Sequence, residues 1–334
     1  MSTPAAVGLF VICLALTLAA SEALVRGLDR LGARFGLSEG LLGLLTALGA
    51  DAPEVSSAIA ALQAGAHDVG LGVVLGSNIF NLAALLGLGA LVAGRIQVQR
   101  EGLLLDGGVA MLVTGVIAAL LPGWLEPWPA VLLLFILLVP YVMALGTKPS
   151  AIARLALPNG LSRLLALAIK EVDSEAAEDP RVSHASGPWS GALLIPPALA
   201  LIVAGSAGMV SSALTLAAQW HLPSRLVGAV ILAGLTSLPN AYAALRLSAQ
   251  GRGAAAVSEA LNSNTINLLA GVALPALIFG TAGAAGGRLE LAWVAAMTAI
   301  TLLLLGRPRG LTRAGGTILI LGYAAFVVIR VARP

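Results

Sequence analysis

Residues 46–54 read TALGADAPE and residues 232–240 read LAGLTSLPN; each is followed by a second motif, GSNIFN at 76–81 and NSNTIN at 262–267. Pro239, Ser263 and Asn267 lie 186 residues beyond Pro53, Ser77 and Asn81, and Gly65/Gly251 and Asn78/Asn264 share that spacing. A constant offset through two motifs and the gap between them marks a duplicated unit. The acids sit mostly in the first copy, where Asp51 and Glu54 are three apart and share a helix face. The second copy has Ser237 and Asn240 at those positions.

The surroundings of these motifs set the solvent. Of 334 residues, 58% are hydrophobic and 10% charged, with mean hydropathy +0.96. Soluble domains carry roughly 25% charged residues, so the chain belongs to the membrane class. Its apolar runs are long and unbroken rather than alternating, which selects helices over a barrel. About ten spans are expected, near 4–25, 38–65, 69–94, 102–122, 127–146, 189–218, 223–249, 254–280, 287–306 and 313–332. The first run lacks a basic leader region and reads as a retained helix. Cys13 is the one cysteine, so no disulfide framework or cysteine metal site is available. The net charge of +3 comes from loop arginines and calls for no nucleic-acid partner.

Orientation follows from those loops. With the N-terminus outside, 15 Lys and Arg fall in cytoplasmic segments and only Arg225, Arg288, Arg330 and Arg333 fall outside, which the positive-inside rule favours. Both termini then face away from the cytoplasm, as for a multi-pass protein of the cell (inner) membrane. Each half, 1–146 and 189–334, holds five spans, so the second copy sits upside down relative to the first. The segment 147–188 joins them as a cytoplasmic loop, with a short amphipathic helix from Ala151 to Lys170 and an acidic stretch from Glu171 to Asp179. The fold class expected is all-α, ten transmembrane helices in two inverted five-helix repeats, with kinked helices two, three, seven and eight forming a site.

A carboxylate in the bilayer core costs about 2.5–3.5 kcal/mol on insertion scales, so Asp51 and Glu54 point to a function. Pro53 between them removes a backbone donor and frees a carbonyl one turn earlier, around Gly49. Carbonyls beside carboxylates are what a hard cation uses in place of its water. Ser77 and Asn81 share a face of the third span. Thr236, Ser237, Asn240, Ser263, Asn264 and Asn267 supply the matching oxygens in the second half. Singly, Ser and Asn in membrane helices hold helices together. As two related sets flanking prolines they form an oxygen cage. Glu259 stands in a stripe with Ser263 and Asn267, either as a further ligand or as a helix-end acid reaching water.

The paired motifs resemble the α-repeats of the sodium/calcium exchanger family, within the calcium/cation antiporter superfamily. Its repeats read G-T-S-x-P-E and then G-S-N-x-x-N; this chain has GADAPE with GSNIFN, then LTSLPN with NSNTIN. The resemblance covers about 40–94 and 226–280 and implies exchange of Ca²⁺ for Na⁺ or H⁺ by alternating access, without a cofactor. It implies that helices one and six slide across the core. It places ligands on Glu54, Ser77, Asn81, Thr236, Ser237, Asn240, Ser263 and Asn267, with Asp51 added by this chain and Gly49, Ala50, Asn78, Glu259 and Asn264 as further candidates. Asn240 and Asn267 replace acids common in the family, while Asp51 brings one in, so the charge lies in one half.

Two carboxylates suit one Ca²⁺ or one to two monovalent ions. A carboxylate that takes up a proton near neutrality can exchange it for a cation, so a monovalent cation/proton antiporter and a transport-inactive relative stand as alternatives. Gly49-Ala50-Asp51 also faintly resembles intramembrane aspartyl proteases, whose second aspartate would have to be Asp106. Asp106 otherwise reads as a cap, or as a partner of Arg95 or Arg100. His67, Asp68 and His221 fall near the outer face, where Asp68 or His67 could recruit cations, and Glu22 reaches the interface from the end of span one.

Overall fold

The structure is a computed structural model that describes residues 1–35, 39–146, 160, 165–167, 190–281 and 287–332. The linker helix and acidic stretch expected within 147–188 fall almost wholly outside those residues. In chain order the long helices are α1 (Thr3–Phe35), α2 (Glu39–Gln63), α3 (His67–Ala93), α4 (Arg100–Leu120) and α5 (Pro127–Leu145). Then follow α6 (Ser190–Trp220), α7 in two pieces (Ser224–Thr236 and Leu238–Ala249), α8 (Gly253–Phe279), α9 (Arg288–Leu305) and α10 (Arg313–Ala332). Among the described residues eight helices are long and apolar enough to span a bilayer, and α7 counted whole makes nine. The remaining long helix, α2, carries Glu39, Asp51 and Glu54.

Burial sorts the helices into a centre and a wall. The apolar stretch of α3 is 94% buried and that of α8 72%, against 22% for α1 and 28% for α10. Side chains such as Ile12, Leu112, Ile136, Leu303 and Val328 stand exposed on the outside, where lipid replaces protein contacts. Inside, α3 packs on α2, α7, α8 and α9. Small residues permit the closest crossing: a Cβ on Gly76 would collide with the backbone of Ala229, and one on Gly72 would meet the same segment. On the far side, Gly205 and Gly208 of α6 let Cys13 and Thr17 of α1 approach, and both helices lie against α2.

The 186-residue offset is visible in the backbone. Glycines with left-handed φ end helices at Gly65 (74°) and Gly251 (79°), and again at Gly94 (84°) and Gly280 (69°). Side chains are disfavoured there, which is why both copies use Gly. π-helical stretches interrupt α3 at Leu82–Leu88 and α8 at Leu269–Ala273. At the contact between these helices, Asn78 Nδ2 donates to the carbonyl of Asn264 and Asn264 Nδ2 donates to the carbonyl of Asn78, both at 3.0 Å. Reciprocal bonds between equivalent residues are what a local two-fold relation produces.

The prolines behave unequally. α7 breaks at Ser237 and turns by 48°, with Pro239 in the first turn of the second piece. By contrast, α2 runs as one helix through Pro53. The irregularities of α3 and α8 are their π turns, which often sit at functional sites. An antiparallel pairing that periodicity did not announce, β1 (Arg95–Ile96) with β2 (Leu311–Thr312), ties the α3–α4 connection to the α9–α10 connection.

Gly76→Ala should force α3 and α7 apart. The expected cost is about 1–3 kcal/mol, read as a lower apparent Tm in detergent. Gly108→Ala, with nothing within 4 Å of the added Cβ, should leave Tm within error; equal Tm values for both variants would show that the crossing is not tight.

Candidate functional site

α2, α3, α7 and α8 bring fully buried polar side chains to one place. Asp51, Glu54, Ser77, Asn81, Thr236, Ser237, Asn240, Ser263 and Asn267 are all 0% exposed. Asp51 Oδ1 accepts from Asn240 Nδ2 at 2.6 Å and from Ser263 Oγ at 2.6 Å. Glu54 Oε1 accepts from Ser237 Oγ at 2.9 Å and from the same Asn240 amide at 3.3 Å. One amide therefore reaches both carboxylates, and the side-chain donors to them among the described residues come from the other half of the chain. The acids lie in one half by sequence, yet their hydrogen bonds cross between halves.

Neighbouring amides extend the cluster. Asn81 Nδ2 donates to Ser263 Oγ at 3.0 Å and to Asn264 Oδ1 at 3.3 Å, and Asn267 Nδ2 approaches Ser77 Oγ at 3.5 Å. Ser77 and Thr236 each donate to a carbonyl of their own helix, Val74 at 2.9 Å and Leu232 at 2.9 Å. That orients each hydroxyl hydrogen away and leaves oxygen lone pairs available. Within the cluster five carboxylate and amide oxygens have no hydrogen-bond partner among the described residues: Asp51 Oδ2, Glu54 Oε2, Asn81 Oδ1, Asn240 Oδ1 and Asn267 Oδ1. All are acceptors, buried, in groups whose other atoms are engaged. Orphaned acceptors in such a place cost about 1–3 kcal/mol each unless something positive serves them. Among the described residues no three of His, Cys, Asp and Glu cluster as a metal site. Two carboxylates with amide and hydroxyl oxygens are the donor set, suited to a hard cation rather than a soft one.

Several candidates take other roles. The Gly49 carbonyl accepts Ser21 Oγ of α1 at 3.1 Å, so the oxygen expected to be freed by Pro53 is already taken by a residue the motifs do not include. Ala50 is buried beside it. Asn78 and Asn264 spend their amides on each other's backbone and hold α3 to α8. Glu259 is not a water-reaching helix end: both its carboxylate oxygens are buried without hydrogen-bond partners, and its electrostatic partners are Asp51 and Arg252. Asp106 neither caps α4 nor pairs with Arg95 or Arg100; its neighbours are Tyr141 and Ser258. It thus belongs to a cluster separate from that of Asp51. Asp68 pairs with Arg225 at 3.4 Å, which engages the acid expected to recruit cations. Glu22 pairs with Arg26 at 3.7 Å in an exposed i, i+4 contact.

Comparison with known proteins follows this geometry. A family model described as "Sodium/calcium exchanger protein" matches residues 5–146 and 190–332. A protein of Alkalimonas amylolytica named as a candidate antiporter, CaxA, is 42% identical over 84 residues, which span 25% of this chain and 26% of that one. The chain thus spans about a quarter of that relative. The inner membrane protein YrbG of Escherichia coli K12 is 28% identical over 276 residues, 82% of this chain and 80% of that one. Among solved structures, the sodium-calcium exchanger NCX_Mj soaked with Na⁺ and Sr²⁺ superposes with a TM-score of 0.60 at 18% identity, covering 100% of this chain and 99% of that one. YfkE gives 0.61 at 16% identity, covering 96% and 91%. These two likenesses are of fold.

A cation held by the orphaned oxygens should stabilise the folded protein. Stabilisation by about 2.7 kcal/mol is expected at a hundredfold excess over Kd. It would be read as a Tm increase with Ca²⁺ or Na⁺ that vanishes in Asp51→Asn/Glu54→Gln. A variant that keeps the increase would place cation binding elsewhere.

Proposed function

The chain belongs to the sodium/calcium exchanger protein family, and from that premise we propose that it exchanges Ca²⁺ for Na⁺ or H⁺ by alternating access at the Asp51–Glu54 cluster. It is a multi-pass membrane transporter of small cations and not an enzyme. The observation that carries the finer reading is the set of five buried, unpartnered acceptor oxygens drawn from α2, α3, α7 and α8. A hard divalent ion takes six to eight oxygens, with carboxylates supplying the charge. Asp51 and Glu54 match the charge of one Ca²⁺. Asn81, Asn240 and Asn267 offer amide oxygens, and Ser77, Thr236, Ser237 and Ser263 offer hydroxyls around them.

In this reading ten spans form two inverted halves, both termini face outside the inner membrane, and α2, α3, α7 and α8 line the path. The constant 186-residue offset, the matched left-handed glycines and the reciprocal Asn78–Asn264 bonds support the inverted relation. The excess of Lys and Arg in alternate loops supports the orientation. α1 and α6 are the gate: they lie against α2 on the lipid side, are mostly exposed, and can move as a pair without unpacking α3.

One observation favours a second reading. A single Asn240 amide serves both carboxylates, and neither Asn240 nor Asn267 adds charge. Such a site can be neutralised by two monovalent cations or by protons as readily as by one divalent ion. Exchange of a monovalent cation for H⁺ is therefore the alternative cargo for the same oxygens.

Flux in proteoliposomes with imposed Na⁺, H⁺ or K⁺ gradients decides between them. ⁴⁵Ca²⁺ uptake driven by an outward Na⁺ or H⁺ gradient is expected. Glu54→Gln should reduce it to the level of empty vesicles, whereas Asn240→Asp should change the ion preference or stoichiometry. Unaltered flux in Glu54→Gln would remove this cluster from transport, and no cation flux under any gradient would mark a transport-inactive relative.

A further inference from the structure

α4, α5 and α8 bury a second polar ring. Tyr141 Oη lies 2.8 Å from Asp106 Oδ1 and 2.6 Å from Asn262 Oδ1. Asn262 Nδ2 donates to Ser258 Oγ at 3.1 Å, and Ser258 hydrogen-bonds Asp106. Tyr141 and Asn262 are buried, Asp106 and Ser258 partly so. The four side chains close a circuit, and none belongs to the cation cluster, although Asn262 is the residue before Ser263.

Counting hydrogens decides the state of this circuit. A phenol has one hydrogen to donate, yet two acceptor oxygens stand within hydrogen-bond distance of Tyr141. All four bonds are satisfied in one direction if Asp106 carries a proton: Asp106 donates to Tyr141, Tyr141 to Asn262 Oδ1, Asn262 Nδ2 to Ser258, and Ser258 to Asp106. If Asp106 is ionised, the phenol turns to it. Asn262 Oδ1 then faces the phenol oxygen with no hydrogen between them, unless the amide rotates, so that Nδ2 donates to Tyr141 and Oδ1 accepts the Ser258 hydroxyl hydrogen that otherwise serves Asp106. Among the described residues no ion pair to Asp106 is found, and its hydrogen-bond partners are the neutral Tyr141 and Ser258. α5 contains no charged residue. Besides Asp106, the charged residues of α4 are Arg100 and Glu101, at its start. α9 meets Gly107 with Leu302, and its Glu290 is paired with Arg330. On the α8 side, Glu259 has Asp51 and Arg252 as its electrostatic partners. A partly buried acid inside a membrane span, without a counter-charge among the described residues, lowers its desolvation cost by staying neutral.

We infer that Asp106 is a proton-binding site separate from the cation cluster, whose proton fixes the Asn262 amide and, through α8, the positions of Ser263 and Asn264. Loss of that proton rotates the amide one residue from Ser263, a hydroxyl that donates to Asp51. Proton occupancy at Asp106 is thereby linked to the geometry of the cation site. The link to transport rests on the antiport reading above; the proton site does not.

Infrared spectroscopy of the protein in lipid at neutral pH tests the site independently of flux. The band of a protonated carboxyl, shifted in D₂O, is expected in an Asp51→Asn/Glu54→Gln/Glu259→Gln background and should disappear when Asp106→Asn is added. Tyr141→Phe should shift that band by removing the acid's acceptor. A band that persists in the Asp106→Asn protein, or no band at all before it is added, overturns the proton site. Asp106→Asn keeps a donor toward Tyr141, so in proteoliposomes the single variant should transport but lose the step in flux as pH rises. A wild-type pH profile in that variant overturns the link to α8 while leaving the cation reading untouched.

Discussion

Two carboxylates three residues apart, with no arginine or lysine bound to them among the described residues, are the constraint from which the rest follows. The chain shows what it does when an acid is structural: Glu290 of α9 is buried against the guanidinium of Arg330 on α10, a permanent ion pair. Asp51 and Glu54 receive only neutral donors. An acid pair in the bilayer core without a fixed counter-charge needs a mobile one, a metal ion or a proton. A transport site requires that condition, because a resident arginine would occupy the site permanently.

The protein meets the constraint by satisfying each carboxylate halfway. One oxygen of each is clamped by hydroxyl and amide groups from α7 and α8, which fixes its position; the other has no partner among the described residues. A partly satisfied polar network is costly in an ordinary core, and α3 and α8 carry that cost because they are otherwise so well held. Reciprocal Asn78–Asn264 bonds lock them together, and Gly72 and Gly76 bring the backbone of α7 against α3. Rigid central helices and lipid-exposed outer ones divide the molecule into a part that holds the oxygens and a part free to move.

Much of this arrangement was legible in the residues. The offset linking TALGADAPE to LAGLTSLPN predicts the duplication, and the motif oxygens from Asp51 to Asn267 do meet. Long apolar runs predict the helix ends to within about three residues for most spans; α1 runs on to Phe35, because Arg26 and Arg30 end the apolar run without ending the helix. Motif reading fails where a partner comes from outside the motif. Ser21 takes the Gly49 carbonyl from a helix with no repeat signal of its own. Tyr141 meets Asp106 across 35 residues with nothing local to announce it. Pro53 and Pro239 occupy equivalent positions, yet only α7 breaks, because tertiary contacts, and not the proline ring alone, decide whether a freed carbonyl bends a helix.

The two copies are also unequal where the outer helices meet the core. Ser21 of α1 bonds the Gly49 carbonyl of α2 one turn before Pro53, whereas the residue 186 positions on is Ala207 of α6, which has no hydroxyl to donate. Under the proposed alternating access, a slide of α1 and α6 across α2 breaks a hydrogen bond on the α1 side that has no counterpart on the α6 side. Such a bond is worth about 1 kcal/mol, roughly a fivefold bias between two states. That is small enough for cation binding to reverse and large enough to set a resting preference. Asymmetry in the charge and asymmetry in the outer-helix contact thus fall on the same helix: α2 carries both acids, and α2 is the helix that Ser21 ties to α1.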